Sequence, residues 1–263
     1  MAIENYQGEK FCGNNSFKVD DNLTIEQALQ ISINGKSFTI TMRTPGNDEE
    51  LIRGLLYSED IYKGKDNFKI SFTENQERGI TEANLILSEN LLGNGYLNSR
   101  NILSVSSCGI CGKTELEHID NSNKLEENNT LNIHHLFKMF DAMKKNQLTF
   151  HQSGGSHAAA AFTSNNDLLV IREDIGRHNA VDKVIGKLIN SNQLNEAKCL
   201  IVSGRISYEI VTKAFTAKIP ILGAVSAPST LAVDFAKELG ITLLGFCRDN
   251  KATCYAHPER ITS

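Results

Sequence analysis

Residues 28–42 read ALQISINGKSFTITM, with Ile31 and Ile33 alternating against polar neighbours, then Phe38, Ile40 and Met42 doing the same beyond Asn34-Gly35. Alternation on both sides of Asn-Gly predicts a β-hairpin, because both turn residues tolerate positive φ. The period changes in PGNDEELIRGLLYSED, where Leu51, Ile52, Leu55 and Leu56 share one helical face. Asn47 or Asp48 is placed to cap that helix, and Glu49 and Glu50 suit its first turn. FKISFT, EANLILSE and RNILSVSS read as three further strands. Residues 1–105 thus form a strand-rich N-terminal subdomain with one helix.

A CxxC loop and polar linker, 106–132, follows; its second part, ELEHIDNSNKLEENNTLN, reads as exposed. IHHLFKMFDAMKKNQ is amphipathic and predicts a helix. From there the rhythm is regular. DLLVIRED, KCLIVSG, PILGAVSA and TLLGFCRD are apolar strands, alternating with helices in GRHNAVDKVIGKLINS, SYEIVTKAFTAK and STLAVDFAKELG. The alternation predicts an α/β layered domain over 133–263, with a sheet that is parallel in part, so the chain overall is α+β. The Ala run in SGGSHAAAAF reads as a tightly packed helix.

Composition narrows the function classes. The chain has 263 residues, 40% hydrophobic and 22% charged, with a net charge of −4. That is an ordinary globular balance and not the basic one a broad nucleic-acid surface needs. No basic start precedes an apolar run, and no stretch approaches the ~18 apolar residues of a membrane span. A cytoplasmic protein with no membrane contact and no nucleic-acid partner is expected. Its six cysteines then read as thiols rather than disulfides.

Polar residues collect where the strands of the second half end. Ile175, Gly176, Arg177, His178 and Asn179 follow one strand; Ser203, Gly204, Arg205 and Ile206 follow the next. Ser226 to Ser229, then Cys247, Arg248, Asp249 and Asn250, close the last two. In open α/β sheets ligands bind at this edge, where helix N-termini and bidentate arginines suit anions. Gly154 and Gly155, just ahead of His157, allow backbone to approach a bound group. The sum predicts a pocket for a multiply phosphorylated, nucleotide-like ligand. His157 and His178 are equally open to a structural reading, and Asp182 and Lys183 read as surface charges. Cys12, Cys199 and Cys247 read as small residues in or near the core, and His134 and His135 as solvated.

SVSSCGICGK carries the one CxxC, Cys108 and Cys111. A zinc site needs a second pair, available only as Cys254 and His257. Zinc deaminase chemistry needs an HxE ahead of a PCxxC, but no HxE precedes Cys108 and Ser107 stands where the Pro would be. A dithiol redox pair wants a helix after the first cysteine, where glycines stand instead. A persulfide-carrying loop needs a mobile thiolate, which those glycines suit. Spacing alone leaves carriage and redox chemistry both open.

Seven blocks in order resemble the FdhD family of sulfurtransferase accessory proteins of formate dehydrogenase. They are RTPGNDEELIRGLLYSEDI, SSCGICGK, SGGSHAAAA, REDIGRHNAVDKVIG, SGRISYEIVTKA, PILGAVSAPSTLAVDFAKELGITLLGFCRD and YAHPERI, spanning about 38–261. The resemblance implies a sulfur carrier that takes persulfide sulfur from a cysteine desulfurase. It passes that sulfur to bis-molybdopterin guanine dinucleotide for the formate dehydrogenase apoenzyme. Cys108 matches the persulfide carrier and Cys111 the second cysteine. Phe246, Cys247, Arg248, Asp249, Asn250 and Lys251 match the family's cofactor-binding segment. The resemblance also implies a cytidine-deaminase-like three-layer core without zinc, and a homodimer.

Phosphates of such a cargo are assigned to Arg177, Arg205 and Arg248, and Asp174, Asp249 and Glu209 stand as acceptors for a guanine edge. The chain departs from the family at Ser156, where an apolar residue is usual, and at Cys254, where a thiol is not. A cofactor-binding chaperone without covalent transfer, and a zinc-stabilised interaction module, are the competing readings.

Overall fold

The computed structural model describes residues 2–64, 68–93, 95–96, 124–125 and 130–263. The predicted strand RNILSVSS and the loop with Cys108 and Cys111 lie outside the described residues. The strands are β1 (Ile3–Cys12), β2 (Asn15–Thr24), β3 (Gln27–Ile33), β4 (Lys36–Arg43), β5 (Lys69–Asn75), β6 (Ile80–Ile86) and β7 (Leu131–Asn132). They continue with β8 (His157–Phe162), β9 (Leu168–Asp174), β10 (Cys199–Val202), β11 (Ile221–Ala224), β12 (Thr242–Arg248), β13 (Lys251–Ala256) and β14 (Ile261–Thr262). The helices are α1 (Asp48–Ser58), α2 (Ile133–Lys145), α3 (Leu148–Ser153), α4 (Arg177–Asn190), α5 (Tyr208–Thr216) and α6 (Thr230–Leu239).

A four-stranded sheet, β4-β3-β6-β5, carries α1. Its first hairpin turns at Asn34 (φ 51°) and Gly35 (φ 76°), the left-handed pair that Asn-Gly supplies. Leu29, Ile31 and Ile33 of β3 are fully buried against Leu51, Ile52 and Leu56 of α1. Each of those side chains contributes on the order of 1.5–3 kcal/mol by leaving water. Asn47 precedes α1 in a left-handed conformation (φ 57°) and makes no side-chain cap. Asp48 is taken by Arg43, which reaches it through two hydrogen bonds of 3.0 and 2.8 Å.

The second sheet has six strands in the order β13-β12-β11-β10-β8-β9. β10, β11 and β12 are mutually parallel, and β8, β9 and β13 run antiparallel to their neighbours. One face, with Ala159, Ala161, Leu200, Val202, Leu222 and Leu243, packs on α4, α5 and α6. The other, with Ala158, Ala160, Phe162, Ile201 and Ile221, packs on α2. This gives three layers, helix on sheet on helix. The Ala run is β8, not a helix. Residues 158–161 are covered on both faces, and small side chains let helices approach there, so context outweighs the helical propensity of Ala.

The two sheets are joined by α1 crossing α4, and by hydrogen bonds that tie Thr44 and Ser58 to buried ion pairs of the second half. Asp182 and Lys183, expected at the surface, are 2% and 1% exposed. They lie on the face of α4 turned to the N-terminal sheet. Lys183 Nζ sits 2.7 Å from Asp174 Oδ2 and donates to Thr44 O at 2.8 Å. Lys213 donates to both oxygens of Asp182, at 2.7 and 2.9 Å, and Ser58 donates to one of them. Burial raises the Asp182 pKa, while the Lys213 charge pulls it back down. A carboxylate and an ammonium taken out of water together must be matched in this way.

The β1–β2 hairpin stands apart from both sheets. It meets the second half through α3, where Thr24 Oγ1 and Ser153 Oγ lie 2.6 Å apart. Cys12, near its turn, is exposed rather than buried.

Candidate functional site

Strand direction alone gathers the predicted residues. The parallel strands β10, β11 and β12 end at one edge of the large sheet. Their antiparallel neighbours begin or turn there, since His157 opens β8 opposite Asp174, and Arg248 faces Lys251 across the β12–β13 turn. The rim therefore runs, in sheet order, through Arg248–Lys251, Ser226, Ser203-Gly204-Arg205, His157 and Gly176-Arg177.

At the β12–β13 end the backbone is unusual. The pairing shifts register between Gly245 and Arg248, and Phe246 adopts φ 55° with the residue 40% exposed. An aromatic residue in left-handed backbone is an outlier that the surroundings must hold in place. Here Phe246 N–H donates to Ser226 O at 3.1 Å. Asp249 (φ 53°) and Asn250 (φ 54°) then make a tight hairpin turn flanked by exposed Arg248 and Lys251. The hairpin partner β13 escaped the sequence reading; Asp-Asn at positive φ was its available signal.

Cys247 points the other way. It is buried, and burial pushes its thiol up to about 12, with Cys254 adding to the rise and a hydrogen bond to Ala224 opposing it. Cys199 is buried beside it and its pKa is raised further for the same first reason. Both match the expectation of core thiols. Only the backbone of Cys247 belongs to the rim.

The loops after β10 and β11 are stitched together. Ile206 N–H donates to Ala227 O at 3.2 Å, and Ser229 N–H returns a bond to Ile206 O at 2.9 Å. Ser203 continues the ladder to β8, since its Oγ accepts from Ala158 N–H at 2.9 Å. Gly154 (φ 67°) closes α3 in left-handed backbone, so the helix end accounts for its glycine. A Cβ on Gly155 would stand 3.0 Å from Thr24 Oγ1.

His178 is turned inward and is 7% exposed. Its Nε2 lies 3.0 Å from Ser207 Oγ and 3.6 Å from Glu209 Oε2. Serine and carboxylate share one nitrogen, so the trio does not form the relay in which the acid orients the far side of the ring. Asp174 is not available to a guanine edge either. It is fully buried and accepts from Thr44 N–H, Gly176 N–H and Asn179 Nδ2 besides pairing with Lys183.

His157, Arg177 and Arg205 converge beside Gly204. A Cβ on that glycine would meet His157 Nδ1 at 3.2 Å and Arg177 Cβ at 3.6 Å. Burial lowers the His157 pKa first, the Arg177 and Arg205 charges lower it further, and Asp174 raises it. Neither arginine has an ion pair among the described residues, and Arg177 Nε is buried without a hydrogen-bond partner. α4 begins above them at Gly176 with no side-chain cap. Such a cluster of unmatched positive charge suits an anion.

Cys254 and His257, weighed as half of a zinc site, face other groups. Cys254 donates to Ala256 O at 3.2 Å, and the His257 nitrogens lie 3.0 Å from Glu259 Oε1 and 3.1 Å from Lys237 O.

Comparison with known proteins places the chain in a family. Residues 24–262 match the FdhD/NarQ family profile. The protein named sulfur carrier protein FdhD from Sulfolobus acidocaldarius is 41% identical over 244 residues, covering 92% of each chain. That from Nocardia farcinica is 41% identical over 249 residues, covering 92% of this chain and 89% of its own. A crystal structure of a candidate formate dehydrogenase accessory protein from Desulfotalea psychrophila superposes over 100% of both chains with a TM-score of 0.77 at 19% identity, so the two share a fold. By the extent of the profile match and by identity over nearly its whole length, the chain belongs to the FdhD/NarQ family.

Proposed function

We propose that the chain is a sulfur carrier that loads bis-molybdopterin guanine dinucleotide for formate dehydrogenase. The Cys108 thiolate attacks the outer sulfur of a cysteine desulfurase persulfide. The desulfurase S–S bond breaks, its cysteine leaves as thiolate, and Cys108 keeps the outer sulfur as S–SH. In delivery, Cys111 attacks the inner sulfur of Cys108, the outer atom departs as sulfide toward the cargo, and a Cys108–Cys111 disulfide remains for a thiol reductant to open. Cys111 in this step is part of the proposal.

The observation that carries the binding half of this reading is the rim, where Arg177 and Arg205 have no carboxylate partner among the described residues beside His157, and exposed Arg248 and Lys251 extend the positive charge. A cargo with four phosphates supplies the missing negative charge, and a homodimer suits its two equivalent halves. The sulfur half is supported by relatives that bear the name sulfur carrier protein FdhD. The reading takes the three-layer core as cytidine-deaminase-like with the zinc chemistry dropped, in keeping with the absence of any HxE ahead of Cys108. It places the protein in the cytoplasm.

Intact-protein mass spectrometry after incubation with a cysteine desulfurase and cysteine is the direct test. A gain of one sulfur that thiol reductant removes and Cys108→Ala abolishes supports carriage by Cys108. No gain on the native protein sinks the sulfur half. A gain that survives Cys108→Ala and vanishes with Cys111→Ala reverses the two roles.

A further inference from the structure

We propose that His157, Arg177 and Arg205 form a proton-coupled anion subsite, in which a phosphodiester or pyrophosphate group binds together with one proton that His157 takes up. This deepens the reading of the rim as the place that holds a phosphate-bearing cargo, and rests on it.

Residues from three different elements bear on one spot: His157 opens β8, Arg177 opens α4, and Arg205, next to Gly204 in the turn between β10 and α5, adds its charge. Gly204 leaves room for His157 and Arg177 to lie close together. A side chain at that position would crowd the imidazole, with His157 Nδ1 3.2 Å from the first added carbon, and would touch the Arg177 stem at 3.6 Å. The charged groups that bear on His157 are Arg177, Arg205 and Asp174. The single carboxylate among them is saturated, because Lys183, Asn179, Thr44 and Gly176 already occupy its oxygens. Positive charge is therefore left in excess, and one guanidinium nitrogen, Arg177 Nε, is shut away from water with no acceptor. A buried donor left in this state is costly until an acceptor arrives.

The empty site keeps His157 neutral at pH 7, since burial and two guanidiniums both oppose its charge. An anion between the arginines reverses the sign of the local field and favours the imidazolium, which then donates a further hydrogen bond. The proton comes from solvent, and no other bond changes. Affinity is flat where His157 is already protonated in the empty protein, which lies below the ordinary histidine value. It then falls by up to about tenfold per pH unit until the pKa of the bound form is passed, and is flat again above that.

Diguanosine pyrophosphate is a suitable probe, because its phosphates do not titrate between pH 5 and 8. Calorimetric titration of the whole protein from pH 5.5 to 8, in two buffers of different ionisation enthalpy, gives affinity and proton uptake together. The expected result is weaker binding as pH rises, with close to one proton taken up at mid-window. His157→Gln and His157→Asn should bind more weakly, with no uptake and a flat profile. A flat wild-type profile without uptake overturns the proposal, as does an unchanged profile in both variants. Absence of binding at every pH overturns the cargo-binding reading of the rim itself, and this proposal with it.

Discussion

Gly54 of α1 and Gly186 of α4 lie against each other where the two sheets of the protein are joined. A Cβ on Gly186 would fall 1.8 Å from Glu50 O and 2.9 Å from Gly54 N, and one on Gly54 would fall 1.9 Å from Asp182 O. The helices cross backbone to backbone, with no side chain between them at that point. Since α1 also backs the small sheet, and α4 starts at the rim, the crossing couples the N-terminal core to the proposed site.

Gly186→Ala is expected to destabilise the protein by about 1–3 kcal/mol, despite the better helix propensity of Ala. Chemical denaturation reads this directly. An unchanged unfolding midpoint would mean that the helices separate readily and are not locked at the crossing.

Lys183→Met removes the ammonium that Asp174 and Thr44 O share. It leaves a carboxylate fully buried beside neutral donors only. Loss of one partner from a buried pair costs about 3–5 kcal/mol. Denaturant unfolding of this variant should show a shift of that size, and Asp174→Asn should show one in the same direction.

Arg205→Ala is expected to weaken diguanosine pyrophosphate binding by roughly tenfold or more, the worth of one charge-assisted hydrogen bond. Its thermal midpoint should stay close to wild type, because Arg205 is exposed and has no ion pair among the described residues to lose. Calorimetry and thermal unfolding on the same sample separate the two effects. Arg205→Lys should restore only part of the affinity, since an ammonium lacks the planar fork.

Thiol reactivity should sort the cysteines by burial. Cys12 is exposed, whereas Cys199 and Cys247 are buried with raised pKa values, that of Cys247 at about 12. At pH 8 about one Cys247 thiol in ten thousand is then ionised. Peptide mapping after brief alkylation of the native protein should find Cys12 modified, and Cys199 and Cys247 modified only after unfolding.

The unliganded protein should lose stability as pH falls below about 6.5, the ordinary histidine value. His157 holds a lowered pKa in the fold, so the unfolded chain binds the proton first and unfolding gains from it. The loss ends once pH passes the folded value. His157→Gln should flatten this part of a stability-against-pH curve measured by denaturant titration.

Much of this was readable from residue pattern. The Asn34-Gly35 hairpin, the apolar face of α1 and the strand–helix alternation after Leu168 all state their structure locally, through period and turn chemistry. The Ala158–Ala161 run did not, because its strand identity comes from helices on both faces. Asp182 and Lys183 looked like surface charges because the element that buries them, α1, lies over a hundred residues earlier. The rim arginines were found by their place after apolar strands. That Asp174 is spent on Lys183, and that His157 feels the charge of two guanidiniums, depends on contacts between distant segments that no local pattern encodes.

The mixed order of the large sheet has one more consequence. Six neighbouring strands at ~4.8 Å spacing make an edge about 24 Å long, with Arg248 and Lys251 toward one end and Arg177 toward the other. For the proposed cargo such an edge would work as a ruler. A short anion would touch one graduation and leave the rest wet, while an elongated polyanion lying flat would engage both extremes at once, so the proposed preference for long cargo would follow from strand count before any base is read.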